Sequence, residues 1–379
     1  MPTTTLPAPS ATTTRTPAQS AAEAPAKPSR DPFFDNAKFL LVALVVVGHS
    51  WTLVPSDSTV SWVYRFLYAW HVPAFVLVTG YLSRSMTWSP KRLRSLFTTV
   101  VVPYVLFEGL LALFRTQVGG EDLEKLWINP HWPMWYLAAL FFWRLATPVF
   151  TRMPAAAALG TALVISLVGG IIAPSDTLDI SRTLGLLPFF VLGLTLRREH
   201  LALLRHRVAR AAGGIFLVVL LLAVPLTSAV PTEWLYYRTP YAELGVSPAV
   251  GVGVRALLLV VGLLGAASFL ALVPTRRTWF SVLGAASLVV YLFHGFAVKS
   301  VALTGFPGWA GDHVPAALLL TSLTSFGVAV LLSQPKVAAR LNHVVDPVGS
   351  LDRLDHATPS SELERLRRHS VVPRTGIGR

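Results

Sequence analysis

The sequence contains no cysteine and few charged residues. The absence of cysteine excludes disulfides, thiol nucleophiles and metal sites built from thiolates. Only 13% of the residues are charged and 53% are hydrophobic, whereas a soluble domain carries about 25% charged residues. No segment alternates polar and apolar residues over the length of a membrane-crossing strand. These absences exclude a soluble globule and favour a polytopic helical membrane protein.

Hydrophobic segments of membrane-crossing length recur along the chain. A helix needs about 20 apolar residues to cross the ~30 Å hydrocarbon core of a bilayer. The pattern predicts an all-α transmembrane bundle, and the sixth of its helices is the shortest. The ten predicted spans lie near 34–54, 61–82, 95–115, 132–150, 155–173, 183–196, 208–228, 250–273, 279–299 and 315–333.

Basic residues are concentrated in every second connection between the predicted spans. Arginine and lysine follow the even-numbered spans, while the other connections are poorer in base and richer in acid. The positive-inside rule then places both termini in the cytoplasm and supports the short sixth span, because its loss would put Arg197 and Arg198 on the opposite side. The net charge of +13 therefore reflects topology and does not indicate nucleic-acid binding.

Composition divides the chain into three parts. Residues 1–30 are rich in Thr, Ala, Pro and Ser, which predicts a disordered cytoplasmic tail. Residues 31–338 hold all the predicted spans and form the membrane domain. Residues 339–379 are polar and charged and predict a second cytoplasmic tail. We expect a multi-pass protein of the plasma membrane.

The first span carries an acid, a base and an imidazole among Leu, Val and Ala. Eleven helical steps bring Lys38 and His49 to within about 20° of one face, about 16 Å apart along the axis, and Asp35 lies one turn before Lys38. Asp35 and Lys38 could equally form an anchoring ion pair at the membrane surface, and His49 could be a packing residue. The functional interpretation predicts that Lys38 and His49 face one shared wet chamber.

Further polar and aromatic side chains occur within the later spans. A carboxylate in mid-span needs a partner or a proton, and for Glu108 we expect an Arg or His side chain of a neighbouring helix. The aromatic residues also fit a belt at the membrane interface, but the number of these groups indicates a polar cavity. No H-x3-H or H-E-x-x-H spacing supports a metal site. The candidates are His71, Tyr81, Glu108, Trp135, Tyr136, Tyr291 and His294.

Six short motifs in this order resemble the acyltransferase-3 family of membrane acyltransferases, in its fucose 4-O-acetylase-like branch. The first is the Lys38-x10-His49 spacing preceded by Asp35. Thr79 and Val72 stand where the family usually has Ser and Met. The other motifs are WHVPAFVLVTGY at 70–81, KRLRSLFTTVVVPY at 91–104, WYL at 135–137, PFFVLG at 188–193 and SLVVYLFH at 287–294.

The resemblance implies transfer of an acyl group, usually acetyl, from acyl-CoA (acetyl-CoA) to a hydroxyl of a sugar-containing or other acceptor. His49 would act as the base or as a transient acyl carrier, and Lys38 would attract the donor's phosphates or polarise its carbonyl. Arg92 and Arg94 could add charge for the donor, although topology also explains them. Some members carry a fused hydrolase-like domain, for which no room remains after the tenth span, so we expect transfer to be completed within the membrane domain.

The same polar stripe suits a second class of protein, a transporter or exporter of a polar or glycosylated substrate. No matching halves are visible in the sequence, which speaks against an inverted-repeat transporter. The two classes differ in one assay, because only the acyltransferase releases free thiol from acetyl-CoA when acceptor is present. His294 could line the cavity or simply pack in the bundle, and the sequence leaves both open.

Overall fold

The computed structural model describes residues 31–123, 125–172, 174 and 177–350. The tail predicted at residues 1–30 and the part of the charged tail beyond residue 350 lie outside the described residues. All regular structure in the described ranges is helical, as predicted. The helices are α1 (Pro32–Ser50), α2 (Ser58–Tyr68), α3 (His71–Ser83), α4 (Pro90–Leu96), α5 (Val102–Gln117), α6 (Trp135–Phe150), α7 (Ala155–Ile172), α8 (Ile180–Thr195), α9 (Arg198–Leu204), α10 (Arg207–Ala223), α11 (Pro248–Leu272), α12 (Ser287–Ala302), α13 (Phe306–Asp312), α14 (Val314–Ser333) and α15 (Pro335–Val345).

Helices occupy all ten predicted positions, but not all of them are long enough to cross a membrane. Within the described chain eight helical segments have the required length and apolarity, and nine do if α8 and α9, which meet at 104°, count as one span. The prediction of ten differs at α6, whose 16 residues reach about 24 Å, short of the ~30 Å core. The side of the membrane on which each end lies stays a prediction.

The second span, Thr59–Ser83, is interrupted by a short turn at Ala69 and Trp70. α2 ends at Tyr68 and α3 begins at His71, so Pro73 falls in the first turn of α3, where no helical hydrogen bond to its nitrogen is needed. The turn therefore precedes Pro73 in the chain. As a result, His71 stands at the start of a helix, and its Nδ1 lies 2.8 Å from the carbonyl oxygen of Leu67.

A π-helical turn, Phe97–Val101, connects α4 to α5. Pro103 follows in the first turn of α5, and because it lacks an amide hydrogen, the regular hydrogen-bond ladder is interrupted at this point. The turn places Thr99 and Val100 in the lining of a cavity inside the bundle.

Small and polar residues set the positions of α1, α3 and α8. A side chain at Gly80 or Gly193 would overlap the backbone of the facing helix, so α3 and α8 are in close backbone contact. The fully buried Asn36 donates to the carbonyl oxygens of Pro274 and Arg276, at 2.8 and 3.0 Å, and accepts from Ser281 Oγ at 2.6 Å. These bonds fix the start of α1, the helix that carries Lys38 and His49.

α15 crosses the predicted boundary between the membrane domain and the charged tail at residue 338. It runs from Pro335 to Val345, and both Ala338 and Val345 are buried. The helix therefore packs onto the bundle as far as its last turn. The division into domains stays a prediction.

Candidate active site

His49 lies one residue before the end of α1, where the chain is firmly attached to α14. Trp51 Nε1 donates to Ser322 Oγ at 2.8 Å, and Thr52 Oγ1 donates to the carbonyl oxygen of His49 at 2.7 Å. The backbone that follows His49 is therefore held by a bond to α14 and by a bond back to the His49 carbonyl. Such anchoring is what a residue needs if its ring is to keep one orientation.

The His49 ring forms a hydrogen-bonded pair with His294 of α12. His49 Nδ1 lies 2.8 Å from His294 Nε2, and His294 Nδ1 lies 2.6 Å from the carbonyl oxygen of Tyr291. That carbonyl only accepts, so His294 Nδ1 carries the hydrogen and, in the neutral ring, His294 Nε2 accepts. His49 must then donate from Nδ1. Its remaining nitrogen, Nε2, is left with a free lone pair, as a base requires.

Two rings restrict the motion of the His49 imidazole. His294 stacks on it with ring centroids 5.0 Å apart, and Trp132 meets it edge-on at 4.3 Å. His294 itself is fully buried. Of the two roles left open for His294, the structure shows packing behind His49 in direct contact with it. It does not line the cavity that His49 faces.

Glu108 holds the loop that carries Trp132. Its Oε1 accepts from the backbone amide of His131 at 2.9 Å, so its partner is a main-chain group and not the Arg or His side chain expected from the sequence. Glu108 is buried, and Oε2 has no hydrogen-bond partner among the described residues. Tyr104 also fixes this loop, since its hydroxyl donates to the carbonyl oxygen of Trp127 at 2.9 Å.

An ion-pair triad lies at the start of the same loop. Glu121 accepts from Arg115 Nε at 2.7 Å and from Lys299 Nζ at 2.8 Å, which ties the ends of α5 and α12 together. The hydrogen bond from Lys299 is the main reason that the pKa of Glu121 falls to about 2, and Arg115 adds to it. Burial, helped by the charges of Arg115 and Lys299, lowers the pKa of His131 to about 3, so this ring is neutral at physiological pH.

The triad predicts how the stability of the protein changes with pH. Because the pKa of Glu121 is lower in the folded protein than its ordinary value of 4.5, its contribution is complete above pH 4.5 and is lost as the pH falls toward 2. We therefore expect Glu121→Gln to lower Tm by a constant amount at neutral pH, and this difference should shrink as the pH falls below 4.5 and vanish below about pH 2. Thermal unfolding at a series of pH values from 7 downward measures this difference in Tm. Asp122→Asn, which also removes one acidic group from the same loop, is the matched control. A Tm difference that does not shrink below pH 4 contradicts the assignment.

The His49 ring lines a cavity of about 400 Å³. Its lining also contains four other residues with imidazole or charged side chains, His71, Arg182, Glu233 and Arg238. Most of the remaining surface is aromatic. The rings are those of Tyr64, Tyr68, Phe75, Trp132, Trp135, Tyr136, Tyr236 and Tyr291.

Lys38 lines a second cavity, of about 300 Å³. Its Nζ lies 2.8 Å from Asp35 Oδ1, so the ion pair suggested by their spacing is present. Arg144 and Ser287 share this lining. Lys38 and His49 thus face two cavities, and the expectation of a single shared chamber was wrong.

Phe75, Tyr136 and Tyr291 line both cavities and therefore lie where the two adjoin. Phe75 meets Tyr136 edge-on at 5.1 Å between centroids, and Tyr136 lies 5.7 Å from Tyr291. The Tyr136 hydroxyl bonds to Thr79 Oγ1, and the Tyr291 hydroxyl donates to the carbonyl oxygen of Pro133. We call these three residues the aromatic wall. Sequence spacing cannot reveal it, since its members come from α3, α6 and α12.

Other predicted residues lie outside these two cavities. Tyr81 stacks on Phe34 at 4.4 Å, under the guanidinium of Arg84. Arg92 lines a smaller cavity of about 140 Å³, while Arg94 is exposed. No group of three or more His, Cys, Asp or Glu in the described ranges could hold a metal ion.

Several residues of the site are absent from the sequence-based candidates, among them Phe75, Trp132 and Arg182. Trp132 was assigned to an interfacial belt, and the edge contact with His49 depends on a loop conformation that composition does not reveal. Arg182 was placed before the sixth span, predicted from residue 183, whereas α8 begins at Ile180. The uncertain start of a short helix therefore concealed a residue that lines the cavity.

Fold and site together define a multi-pass helical membrane protein with a histidine pair beside two cavities that adjoin at an aromatic wall. The family model of the acyltransferase-3 family, described as "Acyltransferase domain", matches residues 31–334, and the chain belongs to this family of membrane acyltransferases. It is also similar to the nodulation protein NolL of Sinorhizobium fredii, with 26% identity over 200 residues, or 47% of this chain and 53% of that protein. The chain thus spans about half the length of this curated relative. No solved structure matches it.

Proposed function

We propose that the protein transfers an acetyl or similar acyl group from acyl-CoA, in the plasma membrane, to a hydroxyl of a carbohydrate-containing acceptor. The observation that carries this proposal is the His49–His294 pair, which leaves Nε2 as the basic nitrogen of a ring that lines the cavity. The aromatic lining supports a sugar as the acceptor, because pyranose rings present apolar C–H faces that pack on aromatic side chains while their hydroxyls bond to polar groups.

The acceptor lies in the His49 cavity in this proposal. Its hydroxyl donates to His49 Nε2, and the proton moves to that nitrogen as the oxygen attacks the thioester carbonyl. The carbon–sulfur bond of the tetrahedral intermediate then breaks, and the leaving thiolate takes the proton back from His49. The products are the acyl ester and free CoA. His294 contributes by accepting from His49 Nδ1 throughout, which keeps Nε2 as the basic nitrogen.

The donor thioester lies in the Lys38 cavity. Lys38 and Arg144 supply positive charge there, suited to an anionic donor or to a developing negative charge on the carbonyl oxygen. Arg144 also lines the small cavity that holds Arg92, so positive side chains continue beyond the donor cavity. Since the two cavities meet only at the aromatic wall, the rings of that wall must move aside for the thioester to reach the acceptor.

Release of thiol tests this function. Protein reconstituted in nanodiscs, supplied with acetyl-CoA and a panel of methyl glycosides, is expected to release free thiol in proportion to acetylated sugar, as measured by a thiol reagent and mass spectrometry. Coenzyme A without the acetyl group is the control donor for product formation. Movement of a glycoside across sealed vesicles with no thiol release would instead support a transporter.

A further inference from the structure

The lining of the His49 cavity contains a guanidinium that the acyl transfer described above does not use. Arg182 lies in the first turn of α8 and is half-buried, but its Nε is fully buried and has no hydrogen-bond partner in the described part of the chain. Its guanidinium lies over the ring of Trp135, 4.6 Å from the centroid. A buried donor without an acceptor is costly, and such a group in a cavity lining is suited to a ligand that supplies the acceptor.

The carboxylate nearest to Arg182 along the chain already has another partner. Asp179, one turn earlier, is buried, and its Oδ1 lies 2.9 Å from Nε of Arg238. Arg238 also donates to Asn129 Oδ1 at 3.3 Å. Asp179 therefore forms its ion pair with Arg238 and not with Arg182. Glu233 also lines the cavity but is exposed, so water screens its charge.

The surroundings of Arg182 also fix its orientation. Trp135 beneath it and Tyr236, whose ring centroid is 5.9 Å away, hold the guanidinium plane by cation–π contact. A planar guanidinium with open N–H groups matches the oxygens of a carboxylate or a phosphate. Both rings line the same cavity as His49, so a sugar bound there could place one group on Arg182 and a hydroxyl near the histidine.

We propose that Arg182 binds an anionic group of the acceptor, a carboxylate or a phosphate, and so selects acidic over neutral sugars. This inference deepens the proposed function, since it names the class of acceptor. It can nevertheless be tested by binding alone, without any turnover. Arg182 is a binding residue in this proposal and takes no part in the bond-making steps.

Equilibrium binding to the full chain in nanodiscs, without acetyl-CoA, tests the proposal. The probes are radiolabelled methyl glucuronide, glucose 1-phosphate and the neutral methyl glucoside. We expect at least one acidic probe to bind about tenfold or more tightly than the neutral one, and the tighter of the two tells whether a carboxylate or a phosphate is recognised. Arg182→Gln should abolish the preference and Arg182→Lys should keep part of it.

Arg65→Gln is the matched control. Arg65 also has a guanidinium, but it donates to Ser61 Oγ and to the carbonyl oxygens of Thr227 and Val230, and it does not line the His49 cavity. Its loss should leave the binding of all three probes unchanged. If Arg182→Gln does not fold, the affinities of the three probes for the unaltered protein and for Arg182→Lys show whether Arg182 carries the preference for acidic probes.

Three results would overturn the proposal: equal binding of acidic and neutral probes, no binding of either acidic probe at millimolar concentration, or a preference that persists undiminished in Arg182→Gln. The proposed function is judged separately by thiol release. An enzyme that acetylates neutral sugars without charge preference leaves the function intact and removes this inference. Binding of an acidic probe through Arg182, with no thiol release from any acceptor, would support this inference and contradict the proposed function.

Discussion

His49→Ala is expected to lower acceptor-dependent thiol release by about 10²- to 10⁴-fold. The physical reason is that an alcohol is a poor nucleophile until a base removes its proton, and His49 Nε2 is the nitrogen that the hydrogen-bond chain through His294 and Tyr291 leaves unprotonated. The loss should appear in kcat rather than in the KM for either substrate, because alanine removes the base and leaves both cavities open. Initial rates over a matrix of donor and acceptor concentrations measure the two separately.

His343→Ala is the matched control for this substitution. His343 is exposed on α15 and lines neither cavity, so its loss should leave the rate unchanged. Expression level and the elution profile in detergent establish that each variant folds. A His49→Ala protein that folds normally and retains more than about a tenth of the rate contradicts the role of His49 as the base.

His294→Leu is expected to reduce the rate by about 10- to 100-fold, although His294 lines neither cavity. Leucine cannot accept from His49 Nδ1, so the His49 ring is free to place its hydrogen on either nitrogen and to rotate. The fraction of molecules with Nε2 unprotonated and correctly directed then falls. This is the effect of a positioning residue, and it should appear in kcat while the KM for the donor is unchanged.

His294→Gln separates positioning from simple packing. The glutamine carbonyl accepts a hydrogen bond from His49 Nδ1, so this variant should recover a large part of the activity that His294→Leu loses. If His294 served only to fill space in the bundle, the glutamine variant would not be more active than the leucine variant. Leucine would then be better tolerated in so buried a position. Equal losses in the two variants, or a more active leucine variant, would contradict the positioning role.

Much of the fold could be predicted because its signals are local. Hydrophobic runs located a helix at each of the ten positions, and the motif at 287–294 indicated the segment that carries His294. The predictions failed where contacts between helices determine the length or the start of a helix. The length of α6 and the start of α8 depend on a loop and on buried contacts that hydropathy does not register. Among the described residues, eight or nine segments are therefore long enough to span the membrane. The orientation of the bundle stays a prediction.

The site could be predicted in its composition but not in its geometry. Helical periodicity predicts Lys38 and His49 on one face of α1, yet it carries no information about what other helices insert between them. Phe75, Tyr136 and Tyr291 do so, and each belongs to a different helix. The partner of Glu108 was missed for a related reason, because a backbone amide in a loop leaves no trace in the pattern of side chains.

The wall also bears on how the acyl group moves. Two cavities that adjoin at three rings allow donor and acceptor to be bound at once, which favours direct transfer with His49 as the base over storage of the acyl group on His49. A ternary complex of this kind requires that neither product forms until both substrates are present. The roles of base and acyl carrier, which the sequence could not separate, therefore predict different behaviour of the enzyme with donor alone.

The most direct measurement is a single-turnover experiment with acetyl-CoA labelled in the acetyl group. The protein is incubated with the labelled donor alone, quenched and digested, and His49 is examined by mass spectrometry before and after acceptor is added. Direct transfer with His49 as the base predicts no label on the protein and labelled sugar only when acceptor is present. Label on the His49 imidazole that passes to the acceptor would contradict this account.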